Sequence, residues 1–178
     1  MTAVTVVMPV LNEERCVADA VQSVLGQTFT DVELLVVDGE STDATAATVR
    51  AIAEREPRVR LLHNPARTIP SALNIGLREA QGRFIARVDG HASVSDTYLE
   101  RAVATLAVDP QVAAVGGRRI GVARTDSGVA VATALSSRFG VGDSINHYAD
   151  SAQDTDHASF GVFRVDVLRE IGGWDENL

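Results

Sequence analysis

One cysteine, Cys16, stands in 178 residues, so the chain cannot close an internal disulfide. That usage fits a reducing compartment. With no C-x-x-C pair, a thiolate zinc site is excluded, and Cys16 itself, inside a helical pattern, reads as a packed thiol. Positive charge is also short. Sixteen Lys and Arg face 24 Asp and Glu, a formal net charge of −8, which makes a poor nucleic-acid binder through the overall field. A local metal or a few arginines can still reverse the potential at one site. No apolar run reaches the roughly 18 residues that a bilayer span needs. The N-terminus turns polar at Asn12-Glu13 without the charged and long apolar regions of a signal peptide. Signature loops are missing too. There is no P-loop and no G-x-S-x-G elbow. The first apolar run leads into Pro9-Val10-Leu11-Asn12-Glu13 where a dinucleotide fold would place G-x-G-x-x-G.

What is present suits one globular domain: 46% of residues are apolar and 22% charged. Apolar runs alternate with helical patterns. Val4–Val10 is a β-branched run with strand character, and Val17, Val21, Val24 and Leu25 share one helix face, with Asn12 as the expected cap. A second strand is expected over Val32–Val37, followed by a turn and a capped helix from about Asp43 to Glu54. Val59–His63 reads as a third strand and Pro70–Ala80 as a helix opened by proline. Phe84–Val88 reads as a fourth strand, with Ser95 or Asp96 capping a helix through about Leu106. Four strand–helix alternations with short connections predict βαβ units on a mostly parallel sheet. After Val112 the pattern changes. Val112–Val122 suggests strand pieces around Gly116-Gly117, Asp126–Gly142 is helical in part, Asp143–His157 is a polar loop, and Val165–Ile171 is a short helix closed by Gly172.

The polar residues that end the strands carry the functional argument. Asn12 and Glu13, Asp38, and Asp89 each follow an apolar run, and in an open parallel sheet these ends share the edge where ligands bind. Asp89 offers oxygen and His91, two residues on, an imidazole, a pair suited to a divalent metal bridging a nucleotide diphosphate. An isolated Asp-Gly-His more often caps a turn, and convergence with the other acidic ends is what favours the metal. Asp38 suits a base N–H or, more blandly, caps its own turn. Glu13 suits a ribose hydroxyl or the dipole of the following helix.

At these residues the chain resembles the family 2 glycosyltransferases, with their GT-A fold. The resemblance rests on Val7-Met8-Pro9-Val10-Leu11-Asn12-Glu13, Val36-Val37-Asp38-Gly39-Glu40-Ser41-Thr42-Asp43, Pro70-Ser71-Ala72-Leu73-Asn74-Ile75-Gly76 preceded by Arg67, Arg87-Val88-Asp89-Gly90-His91-Ala92, and Ile171-Gly172-Gly173-Trp174-Asp175-Glu176. Phe139-Gly140-Val141-Gly142 and the Asp-x-His variant are most similar to the succinoglycan-type branch. The resemblance implies an α/β GT-A domain over 1–178, a Rossmann-like mostly parallel sheet flanked by helices. Its nucleotide-binding half would be 1–110, and 111–178 a smaller mixed acceptor-side half. It implies a nucleotide-sugar site of Pro9, Val10, Asn12, Glu13, Asp38, Arg67, Asn74 and Asp89, and a metal, Mn²⁺ or Mg²⁺, at Asp89 and His91. The histidine departs from the family's more frequent carboxylate and favours Mn²⁺.

The implied reaction is transfer with inversion from a nucleotide diphosphate sugar, UDP-linked by analogy, to a saccharide or lipid-linked acceptor in bacterial exopolysaccharide or envelope synthesis. Its setting would be the cytoplasmic face of the plasma membrane, with membrane association through a following region and no nucleic acid involved. The general base is expected beyond Leu178. Asp175 and Glu176 read as a turn, and Asp154, Asp156 and His157 as weak acceptor-side candidates. A nucleotidyltransferase and a non-catalytic sugar-nucleotide-binding fragment are the alternatives. The first is disfavoured by Asn12-Glu13-Glu14 where a glycine-rich basic loop would stand.

Overall fold

The computed structural model describes residues 3–123, 125–142, 144–155 and 158–177. It divides into two compact units, residues 3–115 with 162–177, and residues 116–161.

The first unit is built on strands β1 (Val4–Val10), β2 (Val32–Asp38), β3 (Val59–His63), β4 (Phe84–Arg87), β5 (Ala114–Val115) and β6 (Val162–Arg164), in the order β3-β2-β1-β4-β6-β5. The first four strands are parallel, with Val10 opposite Asp38 and Val7 opposite Arg87, and β6 returns antiparallel to both β4 and β5. Helices α1 (Val17–Leu25), α2 (Thr45–Ala53), α3 (Ile69–Glu79) and α4 (Tyr98–Val108) follow β1 to β4 in turn, and α7 (Val165–Glu170) follows β6.

The pleat sorts the strand residues between two cores. Val4, Val6, Met8 and Val10 of β1 pack with Leu34 and Val36 of β2, Phe84 and Ala86 of β4, and the apolar stripes of α1, α2 and α4. Val7, Val37 and Ile85 face the other way, onto Ala72, Leu73 and Leu77 of α3 and Val165 and Leu168 of α7. Both faces are covered, which is why these strands read as continuous apolar runs. Gly76 is where α3 lies closest to the sheet: a Cβ there would meet Val7 Cγ2 at 2.3 Å.

Two expected helix caps are corrected. Asn12 does not cap α1, which begins at Val17 after Cys16 with no side-chain cap, because Asn12 is committed to a neighbouring loop. Neither Ser95 nor Asp96 caps α4, whose N-cap residue is Thr97; the carbonyls of Ser95 and Asp96 accept from Gln27 and Thr28 instead. Thr68 does cap α3, accepting from Ser71 N at 3.3 Å. Strand β6 has no counterpart among the apolar runs of the sequence. It has three residues, too few to show a period.

The second unit holds α5 (Asp126–Leu135), α6 (Arg138–Val141) and a 3₁₀ turn at Ile145–His147. Thr125 and Ser137 cap its two helices, and no described side chain from 116 to 160 is buried. Among the described residues of either unit, no helix is long and apolar enough to cross a membrane.

Candidate active site

Because β1, β2 and β4 are adjacent and parallel, their C-terminal ends open at one edge. The loops leaving β1 and β2 are laced together there. Gly39 N donates to Val10 O (2.9 Å), Asn12 N to Ser41 Oγ (2.9 Å) and Thr42 N to Asn12 Oδ1 (2.8 Å). Glu13 N donates to Thr45 Oγ1 (2.7 Å) and Glu14 N to Asp43 Oδ2 (3.1 Å). Asp38 is buried, and its carboxylate accepts from Ser41 N at 3.1 Å. Its carbonyl accepts from Asn64 N at 2.8 Å, extending the lacing to β3. Asn64 is itself buried, donating to Thr68 O (2.9 Å) and accepting from Ser71 Oγ (3.0 Å). Sequence reasoning missed it; the signal was the Asn64-Pro65 dipeptide that marks a turn just after a strand.

Backbone strain concentrates at this edge. Among the described residues, four non-glycine residues have positive φ, and three of them leave β1, β2 and β3: Asn12 (56°), Glu40 (62°) and Arg67 (60°). Asparagine tolerates the left-handed region, but Glu and Arg do so at a cost of order 1–3 kcal/mol each, which the surrounding hydrogen bonds must offset. Such strain persists where a fixed arrangement of side chains is needed.

Two of the strained residues meet. Arg67 Nε donates to Glu40 Oε2 at 2.8 Å, its terminal nitrogen contacts the same oxygen, and His63 Nε2 stands 3.4 Å from Glu40 Oε1. The hydrogen bond from Arg67, then its charge, holds the Glu40 carboxyl below the usual carboxylate range.

The β4 end carries Asp89 and His91. Asp89 receives a two-point contact from Arg87, at 2.7 and 3.2 Å. His91 Nδ1 lies 2.8 Å from Glu13 Oε1, joining the β4 exit to the β1 exit. Gly90 between them is set by space. A Cβ there would fall 2.6 Å from Val10 Cγ1 and 3.4 Å from Glu13 Cγ.

Glu13, Asp38 and Arg67 are thus tied into one network of strand-exit loops with Asn12 and Val10, and Glu13 links it to His91. Pro9 is the penultimate residue of β1. Asn74 is engaged elsewhere. Its Nδ2 donates to Trp174 O and Glu176 Oε1, both at 2.8 Å, and its Oδ1 accepts from Trp174 N at 2.9 Å. It braces α3 to the turn through Gly172 and Gly173, which both have positive φ. Asp175 accepts from Asn177 within that turn. Asp154 lies in an irregular stretch, and Asp156 and His157 lie outside the described residues.

Among the described residues, no cluster of three or more His, Cys, Asp and Glu could by itself hold a metal. Asp89 and His91 could hold a divalent ion only if it were shared with a ligand's phosphates, since such ions take one or two protein ligands and leave the remaining positions to phosphate and water; both Asp89 oxygens already receive Arg87, and each has a further lone pair to offer. One oxygen and one imidazole form a donor set that suits Mn²⁺.

The molecule is thus an α/β protein whose parallel strands β1, β2 and β4 end at one edge, the place where open sheets of this class bind their ligands. Residues 5–172 match Glycosyl transferase family 2, and the chain belongs to that family. It is 28% identical over 180 residues to the succinoglycan biosynthesis protein ExoA of Rhizobium meliloti, covering 99% of this chain and 54% of that protein. It is similar to the mannosyltransferase PcManGT of Pyrobaculum calidifontis, whose structure is a complex with GDP-Man and Mn²⁺, at 28% identity, TM-score 0.70, and coverage of 97% of this chain and 47% of that one. The fold is also that of TarS of S. aureus (TM-score 0.74, 19% identity, 97% and 30% coverage). The fold is therefore the expected α/β GT-A class, and the chain spans about half the length of ExoA and of the mannosyltransferase.

Proposed function

We propose that this chain supplies the donor-binding site of an inverting glycosyltransferase. The whole protein would move a sugar from a nucleotide diphosphate sugar to a saccharide or lipid-linked acceptor in exopolysaccharide or envelope synthesis. The observation that carries the reading is the lacing of the β1, β2 and β3 exits, with His91 of the β4 exit joined to the same network through Glu13. The likeness to ExoA supports the exopolysaccharide setting, and the likeness to a mannosyltransferase bound to GDP-Man and Mn²⁺ supports a metal-assisted donor site.

In this reading Asp38 accepts from a base N–H. Its oxygens already receive Ser41 N, and each has a further lone pair to offer. Pro9 and Val10 wall the pocket. Asn12 fixes the loop that backs the nucleotide, and Asn74 acts at one remove by bracing the 174–176 turn. Arg67 turns from Glu40 to a donor phosphate or base oxygen, with no change in charge at the edge beyond the ligand's own. Asp89 and His91 would hold the metal, which would supply positive charge to screen the diphosphate and stabilise the departing nucleotide. None of the described residues is assigned as the general base.

Calorimetric titration with UDP- and GDP-sugars, with Mn²⁺ and with chelator, tests this. Binding of one nucleotide series that needs the metal and is lost in Asp89→Ala is expected. Absence of binding to either series would sink the donor-site reading, and chelator-insensitive binding would remove the metal from it.

A further inference from the structure

The Glu13 carboxylate, suited by sequence to a ribose hydroxyl or to the dipole of the following helix, lies 2.8 Å from His91 Nδ1, across 78 residues of sequence. A carboxylate oxygen at this distance accepts from Nδ1–H, and in the neutral ring that tautomer leaves the lone pair on Nε2. We infer that Glu13 is the positioning residue of the metal site: it fixes the ring and tautomer of His91 so that Nε2 faces the ion. This rests on the proposed role of His91 as metal ligand.

The arrangement behind Glu13 is built for placement. Its backbone N–H donates to Thr45 Oγ1 at 2.7 Å, and Thr45, fully buried at the start of α2, donates in turn to Asp43 Oδ1 at 2.5 Å. Asp43 also accepts from Glu14 N and Thr45 N. The Glu13 backbone is thus pinned to the buried start of α2 while its carboxylate reaches the imidazole ring. Gly90 completes the arrangement, because only a residue without Cβ lets the β4 exit approach Val10 and Glu13 closely enough for the contact. Exposure divides the labour. The Glu13 side chain is 24% exposed and that of His91 62%, so the carboxylate is sheltered while the ring meets solvent and ligand. Carboxylate–histidine–metal relays of this kind fix ring orientation and raise ligand basicity, and losing the outer partner typically weakens metal binding by about 10–100-fold.

The experiment uses Glu13→Ala, Glu13→Gln and His91→Gln. Two readouts are taken: nitrogen NMR of the His91 ring in metal-free protein, assigned by its loss in His91→Gln, and Mn²⁺ affinity by electron paramagnetic resonance with UDP or GDP present. The wild type is expected to show the Nδ1–H tautomer. Glu13→Ala should shift His91 towards the Nε2–H form that dominates in free neutral histidine and weaken Mn²⁺ by about 10–100-fold. Glu13→Gln, whose carbonyl oxygen still accepts, should keep the tautomer and most of the affinity. An unchanged tautomer and affinity in Glu13→Ala, with His91→Gln weakened, would overturn the inference alone. Equal loss in Gln and Ala would overturn it by making the charge of Glu13, as a direct ligand, the relevant property. Mn²⁺ binding by His91→Gln at the wild-type level would overturn both the inference and the metal reading beneath it.

Discussion

In the first unit all seven residues of β2 are buried, whereas α5 of the second unit, ten residues long and rich in valine and alanine, buries none. Apolar content is not the difference. Successive residues of a helix turn by about 100°, so Val129 and Val131 of α5 point to opposite sides, whereas Val17, Ala20, Val21 and Val24 of α1 form one stripe. Val129, Val131 and Phe139 are all exposed. A strand covered on both faces buries every apolar residue whatever its order; a helix buries only those its period aligns. The comparison teaches where rigidity lies. All the proposed site residues stand on the unit with the packed cores, and their loops hold left-handed Glu and Arg residues that only a stiff support sustains.

The largest expected effect separates the two units directly. Leu34→Ala empties a fully buried position and should cost about 2–5 kcal/mol in urea unfolding. Val131→Ala, 58% exposed, should stay within about 0.5 kcal/mol. Comparable losses would break the contrast. Next comes ligand affinity: Asp38→Ala should weaken donor binding by about 1.5–3 kcal/mol, the worth of a hydrogen bond to a charged group, while Val131→Ala leaves it unchanged by calorimetry. Gly90→Ala sharpens the steric half of the argument. Pushing its Cβ against Val10 should cost about 1–3 kcal/mol of stability and, unlike Leu34→Ala, lose the His91 ring signature of the Glu13 contact.

The smallest effect is acid sensitivity at the rim of the first unit. Hydrogen bonding from the Arg58 side chain holds the Glu56 carboxyl down to about 2, from an ordinary 4.5. Because the folded value is depressed, the pair's stabilisation is complete above about 4.5 and fades as pH falls towards 2. Both groups are partly solvent-exposed, so the contribution is modest. Glu56→Gln should flatten that limb of the unfolding midpoint against pH, and an unchanged slope would place the acid-labile contacts elsewhere.

Much of the fold was legible along the chain. The bounds of β1 and β3 follow from apolar runs closed by polar residues, and α3 from the proline in its first turn. Legibility failed for the caps. Asn12 has the right side chain for a helix cap, but a loop 30 residues away offers its Oδ1 the backbone N–H of Thr42. At the site, the acidic strand ends were readable because parallel strands must deliver their ends to one edge. Asn64 was harder to see, since its importance comes from being buried. Asn74 carried a motif's expectation, yet its hydrogen bonds run to residues 100 and 102 positions away.

The sequence by itself determined the alternation of strands and helices, the edge at which the parallel strands end and the residue types that reach it, because periodicity and turn chemistry act over a few residues. Tertiary structure alone decided the pairings: Glu13 with His91, Arg67 with Glu40, Asp38 with Ser41 and Asn64. Nearly all of these join loops far apart in the chain, and a hydrogen bond acts only within about 3 Å, so which side chains meet is fixed by strand register and helix packing.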